Sequence, residues 1–144
     1  GYHVDEARTY VIGKASDEQQ RLFDIICQMH SACLAAIQPG ATIGDVYNTA
    51  KKVAIEFDCL QYFMGYGQYG VEYVGHGVGL EIDELPLVSP HDNRLLKPGM
   101  VLAIEPKLIV PGWGGVNIED TVAVTPHGNE PLTQTRRELI EIPL

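Results

Sequence analysis

Asp5, His76, Glu105 and Glu119 are the side chains of this 144-residue chain best suited to hold a cation. His76 stands in Gly75-His76-Gly77-Val78-Gly79, where glycines on both sides let the backbone come close to a ligand or metal. Glu105 ends the apolar run Ala103-Ile104, just before Pro106, and Glu119 follows Ile118 in Ile118-Glu119-Asp120-Thr121. A carboxylate in apolar company is costly unless something cationic compensates it. Strand alternation puts Glu119 and Asp120 on opposite faces. Asp5 lies in the middle of an N-terminal stretch rich in β-branched and aromatic residues, with Arg8 close by. Three carboxylates and one imidazole form a ligand set for a hard or borderline divalent ion. Two ions sharing bridging carboxylates would acidify a water and hold it against a polarised carbonyl, which is metal-assisted hydrolysis. Each residue also has an ordinary explanation, a salt-bridged strand-end carboxylate or a histidine in a glycine-rich turn. At this level both readings stay open.

The elements that must position these residues are partly visible. Residues Tyr2 to Ile12 suggest a strand ending at Gly13. Ser16-Asp17-Glu18-Gln19 is a capping-box pattern, and Leu22, Ile25, Ile26, Met29, Cys33, Leu34 and Ile37 recur at helical spacing up to Pro39-Gly40. Thr42, with Asp45 three residues on, opens a second helix whose apolar face is Val46, Ala50, Val53, Ala54 and Phe57. Residues Asp58 to Gly79 read as loop, because glycines interrupt any regular element. Beyond Lys97-Pro98-Gly99 the texture becomes strand-like: Met100 to Ile104, a turn at Pro111 to Gly115, a strand over Val116 to Val124, and a turn at Pro126 to Asn129. Strand, helix pair, then antiparallel strands make an α+β domain spanning 1–144.

Bulk properties narrow the function. The net charge of −9, with no basic block, argues against nucleic acid as a partner. No apolar run approaches a membrane span, and a membrane partner is not expected. Cys27, Cys33 and Cys59 read as buried small hydrophobes in a reducing, cytoplasmic setting. The chain opens inside a strand without a methionine, which reads as part of a larger protein.

Four segments together carry a resemblance: Gly1 to Tyr10 around Asp5, Gly75-His76-Gly77-Val78-Gly79-Leu80-Glu81, Leu96 to Pro106 ending in Ile104-Glu105-Pro106, and Ile118-Glu119-Asp120-Thr121. In this order they resemble the prolidase, aminopeptidase P and methionine aminopeptidase superfamily, and Arg8-Thr9 after Asp5 is closer to the proline peptidases. The resemblance implies a pita-bread fold, a curved antiparallel sheet with helices on its outer face, here the C-terminal part of the catalytic domain and truncated at its N-terminus. It implies two divalent metal ions, with Asp5 and Glu119 bridging them, His76 and Glu105 completing a site, and Glu105 taking the proton of the nucleophilic water. Oxygen-rich ligation favours manganese, with cobalt, zinc or iron as alternatives. It further implies a cytoplasmic homodimer with a separate N-terminal domain.

The chain departs from that pattern in places. A further metal-binding aspartate would fall before Gly1. Asp83 stands where the proline peptidases usually have a histidine that steadies substrate and transition state, so Asp83 takes that catalytic position. Asn117 replaces an arginine often found two residues before the bridging glutamate, and Glu72 replaces a histidine four residues before the metal histidine. Asn117, Glu72 and Tyr66 are then the substrate-side residues, in a pocket more acidic than usual that would favour a substrate with an extra amine. Tyr62, Tyr66 and Tyr69 have a second reading as a packed loop, and Trp113 reads as an exposed contact residue. His3 reads as pocket wall, and His30, His91 and His127 as surface residues. The function expected is dinuclear metal-dependent hydrolysis of a peptide bond near the N-terminus, of Xaa-Pro dipeptidase or aminopeptidase type, on a peptide or dipeptide. The alternatives are a non-catalytic pita-bread binding module and a related hydrolase of a small non-peptide amide.

Overall fold

The computed structural model describes residues 1–144. Both capping boxes form. The Ser16 hydroxyl accepts from the Gln19 N–H while the Gln19 side chain accepts from the Ser16 N–H, and Thr42 and Asp45 do the same. Each box satisfies two amides that a helix start would leave unpaired. They open α1 (Asp17–Ala36) and α2 (Ile43–Glu56), which pack against each other. Leu22, Ile25, Ile26, Met29 and Cys33 of α1, and Val46, Ala50 and Ala54 of α2, are buried together with Leu102, Ile104, Leu108, Ile118 and Val122.

Nine strands follow the chain: β1 (Tyr10–Ile12), β2 (Gly75–Gly77), β3 (Glu84–Leu87), β4 (Val101–Ile104), β5 (Lys107–Val110), β6 (Gly114–Asn117), β7 (Asp120–Thr125), β8 (Gly128–Pro131) and β9 (Ile140–Ile142). The main sheet is antiparallel in the order β3-β2-β4-β7-β8, β5 and β6 form a hairpin, and β1 pairs in parallel with β9. Helix α1 lies against β4, β5 and β6, so the helices cover the sheet and the hairpin from one side.

Several sequence expectations need correction. The N-terminal strand is limited to Tyr10–Ile12. Residues before it dock irregularly: the His3 N–H donates to Gly79, and Ala7 and Glu119 exchange their backbone bonds as a lone bridge. The stretch expected to be loop contains β2, a central strand of the main sheet. Glycine here permits close approach, since a Cβ on Gly75 would lie 2.1 Å from the Ala103 carbonyl oxygen. Val116 to Val124 is two strands in different sheets, parted at Ile118 and Glu119. His30 is fully buried instead of lying on the surface. Its place in α1 explains this, four residues after Ile26 and three before Cys33, on the buried stripe.

Candidate metal centre

Three parts of the chain meet at one point. Asp5 comes from the docked N-terminal segment, His76 from β2, and Glu119 from the link between β6 and β7. Asp5 is held by its backbone: its N–H donates to Thr121 Oγ1 at 2.9 Å, and that hydroxyl donates to the Asp5 carbonyl at 2.7 Å. Ligand atoms of Asp5, His76 and Glu119 all lie within 4.8 Å of one another, a spacing that could hold one ion. Glu105, placed by the end of β4, joins through His76, with Oε1 3.9 Å from Nε2. Asp83 also reaches this imidazole, 3.2 Å from Nε2, although its side chain is 74% exposed.

The chemistry of the donors fits a cation. His76 Nδ1 lies 3.0 Å from the Gly77 carbonyl oxygen, which can only accept. A proton therefore sits on Nδ1, and Nε2 is the ring atom turned toward Asp5, Asp83 and Glu105. Carboxylates gathered round one ring nitrogen repel one another unless a cation lies between them. Glu119 registers the same deficit, since burial first, and then the charges of Asp5 and Glu105, push its carboxyl up to about 8. A divalent ion would reverse that shift by favouring the ionised form.

On the opposite face, the next residue is fully paired. Asp120, completely buried, accepts from Arg8 Nη2 at 2.8 Å, Arg137 Nε at 2.6 Å and Thr133 Oγ1 at 2.6 Å. Burial raises its pKa, but the bonds from Thr133, Arg8 and Arg137 outweigh burial and leave it below the ordinary carboxylate value. Arg8 also donates to the backbone oxygens of Ala7, Glu119, Thr135 and Arg136, tying the N-terminal segment, the site link and the C-terminal segment together. His30 Nε2 lies 3.3 Å from Asp120 Oδ2 without a hydrogen bond, and burial lowers the imidazole to about 4, so it is neutral at pH 7.

The remaining sequence assignments separate. Asn117 ends β6 directly opposite Lys107, and its backbone N–H and carbonyl both bond the Thr9 hydroxyl. Glu72 is exposed, with its charge felt at Tyr47. Tyr66 is half exposed beside Tyr62, at a ring separation of 6.4 Å. Neither Glu72 nor Tyr66 bonds the cluster. Trp113 is 40% exposed in the β5–β6 turn. His3 lines a cavity of about 500 Å³ with Tyr2, Gly79, Glu84, Pro86 and Met100. Sequence reasoning missed Lys107, whose Nζ lies 2.6 Å from Glu105 Oε2 and which adds an ammonium to a pocket expected to be simply acidic. It also missed Thr121 as the holder of Asp5. The signal for Lys107 was its place two residues beyond Glu105.

An antiparallel sheet backed by helices, with carboxylates and an imidazole converging beside it, defines an α+β domain of the pita-bread type. The chain belongs to metallopeptidase family M24, whose model matches residues 1–126. It is 40% identical over 139 residues to an Xaa-Pro dipeptidase of Pyrococcus furiosus, covering 96% of this chain and 38% of that protein. Among solved structures, a dipeptidase PepE of Mycobacterium ulcerans superposes with a TM-score of 0.92 at 32% identity, over 100% of this chain and 37% of that one. The prolidase of Pyrococcus horikoshii gives 0.87 at 37% identity, over 96% and 38%. The chain thus spans well under half the length of these relatives. No helix is long and apolar enough to cross a membrane.

Proposed function

We propose that residues 1–144 are the C-terminal part of the catalytic domain of a longer dinuclear metallopeptidase, which cleaves a peptide bond near the N-terminus of a peptide or dipeptide in the Xaa-Pro dipeptidase or aminopeptidase manner. The observation that carries this is the convergence of Asp5, His76 and Glu119 within 4.8 Å, with Glu105 beside His76 and Glu119 raised to about 8. In this reading Asp5, His76, Glu105 and Glu119 would hold two divalent ions. When bound, the ions supply Lewis acidity toward the scissile carbonyl and acidify a water. Glu105 would accept a proton from a water at the site, and the Nδ1 bond of His76 to the Gly77 carbonyl keeps its Nε2 aimed at the site. Asp83, on the exposed side of His76, stands at the substrate entrance, with Asn117, Glu72 and Tyr66 as pocket wall. The oxygen-rich donor set favours manganese over cobalt, zinc or iron. The three free cysteines suit a cytoplasmic protein, and a homodimer with an N-terminal domain completes the proposal.

The deciding experiment is hydrolysis of an Xaa-Pro dipeptide by the complete protein, stripped of metal and then supplied with manganese. Turnover that requires the metal and disappears in Glu105→Ala supports the peptidase. Stoichiometric metal binding without turnover moves the proposal to a small non-peptide amide. Absence of both metal binding and turnover leaves a binding module.

A further inference from the structure

The acid cluster is not wholly without a positive charge. Lys107 opens β5 with its Nζ 2.6 Å from Glu105 Oε2, and its side chain is 29% exposed. Its backbone is fixed on both sides by Met64, whose N–H donates to the Lys107 carbonyl and whose sulfur accepts the Lys107 N–H. The ammonium is therefore carried on an anchored strand end, not on a free loop. Its charge also reaches Glu119, where it opposes the effects of burial, Asp5 and Glu105. The strand register places Lys107 directly across from Asn117. Directly opposed residues project to the same side of a hairpin. Position 117 supplies no charge, and the position facing it does.

We propose that Lys107 is a positioning residue that serves as the site's built-in counter-cation: it holds Glu105 when no ion is bound and competes with the ion for that carboxylate. The inference rests on the metallopeptidase reading. An ion that takes Glu105 must displace the ammonium, and afterwards the two positive charges remain close neighbours. Both effects weaken ion binding relative to the same cluster without Lys107. The lysine thereby lowers metal affinity in return for an ordered Glu105 in the empty site.

Calorimetric titration of the chelator-stripped complete protein with manganese tests this without any activity assay. Lys107→Met is expected to bind manganese about tenfold more tightly than the unchanged protein, and Lys107→Arg to stay near it. Lys107→Gln provides a second neutral variant should Lys107→Met not fold. In a Glu105→Gln background, Lys107→Met is expected to change affinity far less, because the competition runs through Glu105. Equal or weaker binding by both neutral variants overturns the proposal, as does undiminished tightening when Glu105 is already Gln. Failure of the unchanged protein to bind manganese, cobalt or zinc would instead bring down the metallopeptidase reading on which the inference stands.

Discussion

Glu119 and Asp120 are consecutive residues with opposite surroundings. Glu119 faces Asp5, Glu105 and the His76 imidazole, and its carboxyl is pushed up to about 8 by burial first and then by the charges of Asp5 and Glu105. Asp120 faces two guanidinium groups and a hydroxyl, and its carboxyl is pulled down. Strand alternation alone sends neighbouring side chains to opposite faces. What differs is how each face is completed by the rest of the chain. Behind the site, every carboxylate oxygen has its cation, and the bonds join three distant segments. In front, the carboxylates converge with only Lys107 to offset them. Structure is secured on one face, and the charge deficit that suits a metal is kept on the other.

The contrast can be broken from the structural face first. Asp120→Ala would leave Arg8 and Arg137 without their buried partner and should cost about 3–5 kcal/mol of stability in a denaturant titration. A cost below about 1 kcal/mol would mean that the guanidinium groups find other partners, and the network would lose its structural role.

The front face sharpens the contrast through pH. Glu119 has its folded-state value raised above the ordinary carboxylate value, so the folded metal-free protein holds a proton that the unfolded chain releases. Its contribution to stability is complete below about pH 4.5 and is lost as pH climbs toward about 8. The local slope approaches about −1.4 kcal/mol per pH unit. Glu119→Gln should remove that part of the slope, measured as the difference between the two pH–stability curves without metal. Parallel curves would show that Glu119 is not raised. The smallest effect concerns the hold on Asp5. Thr121→Val removes both bonds to the Asp5 backbone and should cost about 1–2 kcal/mol, with weaker manganese binding as Asp5 loosens. Unchanged affinity would mean that Asp5 is held by other contacts.

Where the chain's own local chemistry dictates structure, it could be read in advance. Ser16 with Gln19 and Thr42 with Asp45 announce both helix starts, and the apolar stripe of α1 matches its buried face. The split between Glu119 and Asp120 was legible for the same reason. The family motifs also carried Asp5, His76, Glu105 and Glu119, which the fold brings together. What was not legible depends on distant partners. Gly75 and Gly77 read as breakers, yet the Ala103 and Leu85 carbonyls close against them and make β2 a central strand. The break at Ile118 and Glu119 exists because β6 and β7 join different sheets, which no local pattern records. His30 was legible in principle from its helical spacing, but a polar residue on an apolar stripe was read as surface.

One consequence concerns the order of events during folding. The Thr121 hydroxyl that holds Asp5 acts across a separation of 116 residues, so the two ends of the site come from nearly opposite ends of the chain. Contacts of that span form late, after the intervening chain has given up most of its freedom. His76, Glu105 and Glu119 alone make a half-made site, because Asp5 arrives only when its segment docks. Metal capture should therefore trail the collapse of the helical layer, and ion uptake becomes a clock for the last step of folding, not a seed for the first.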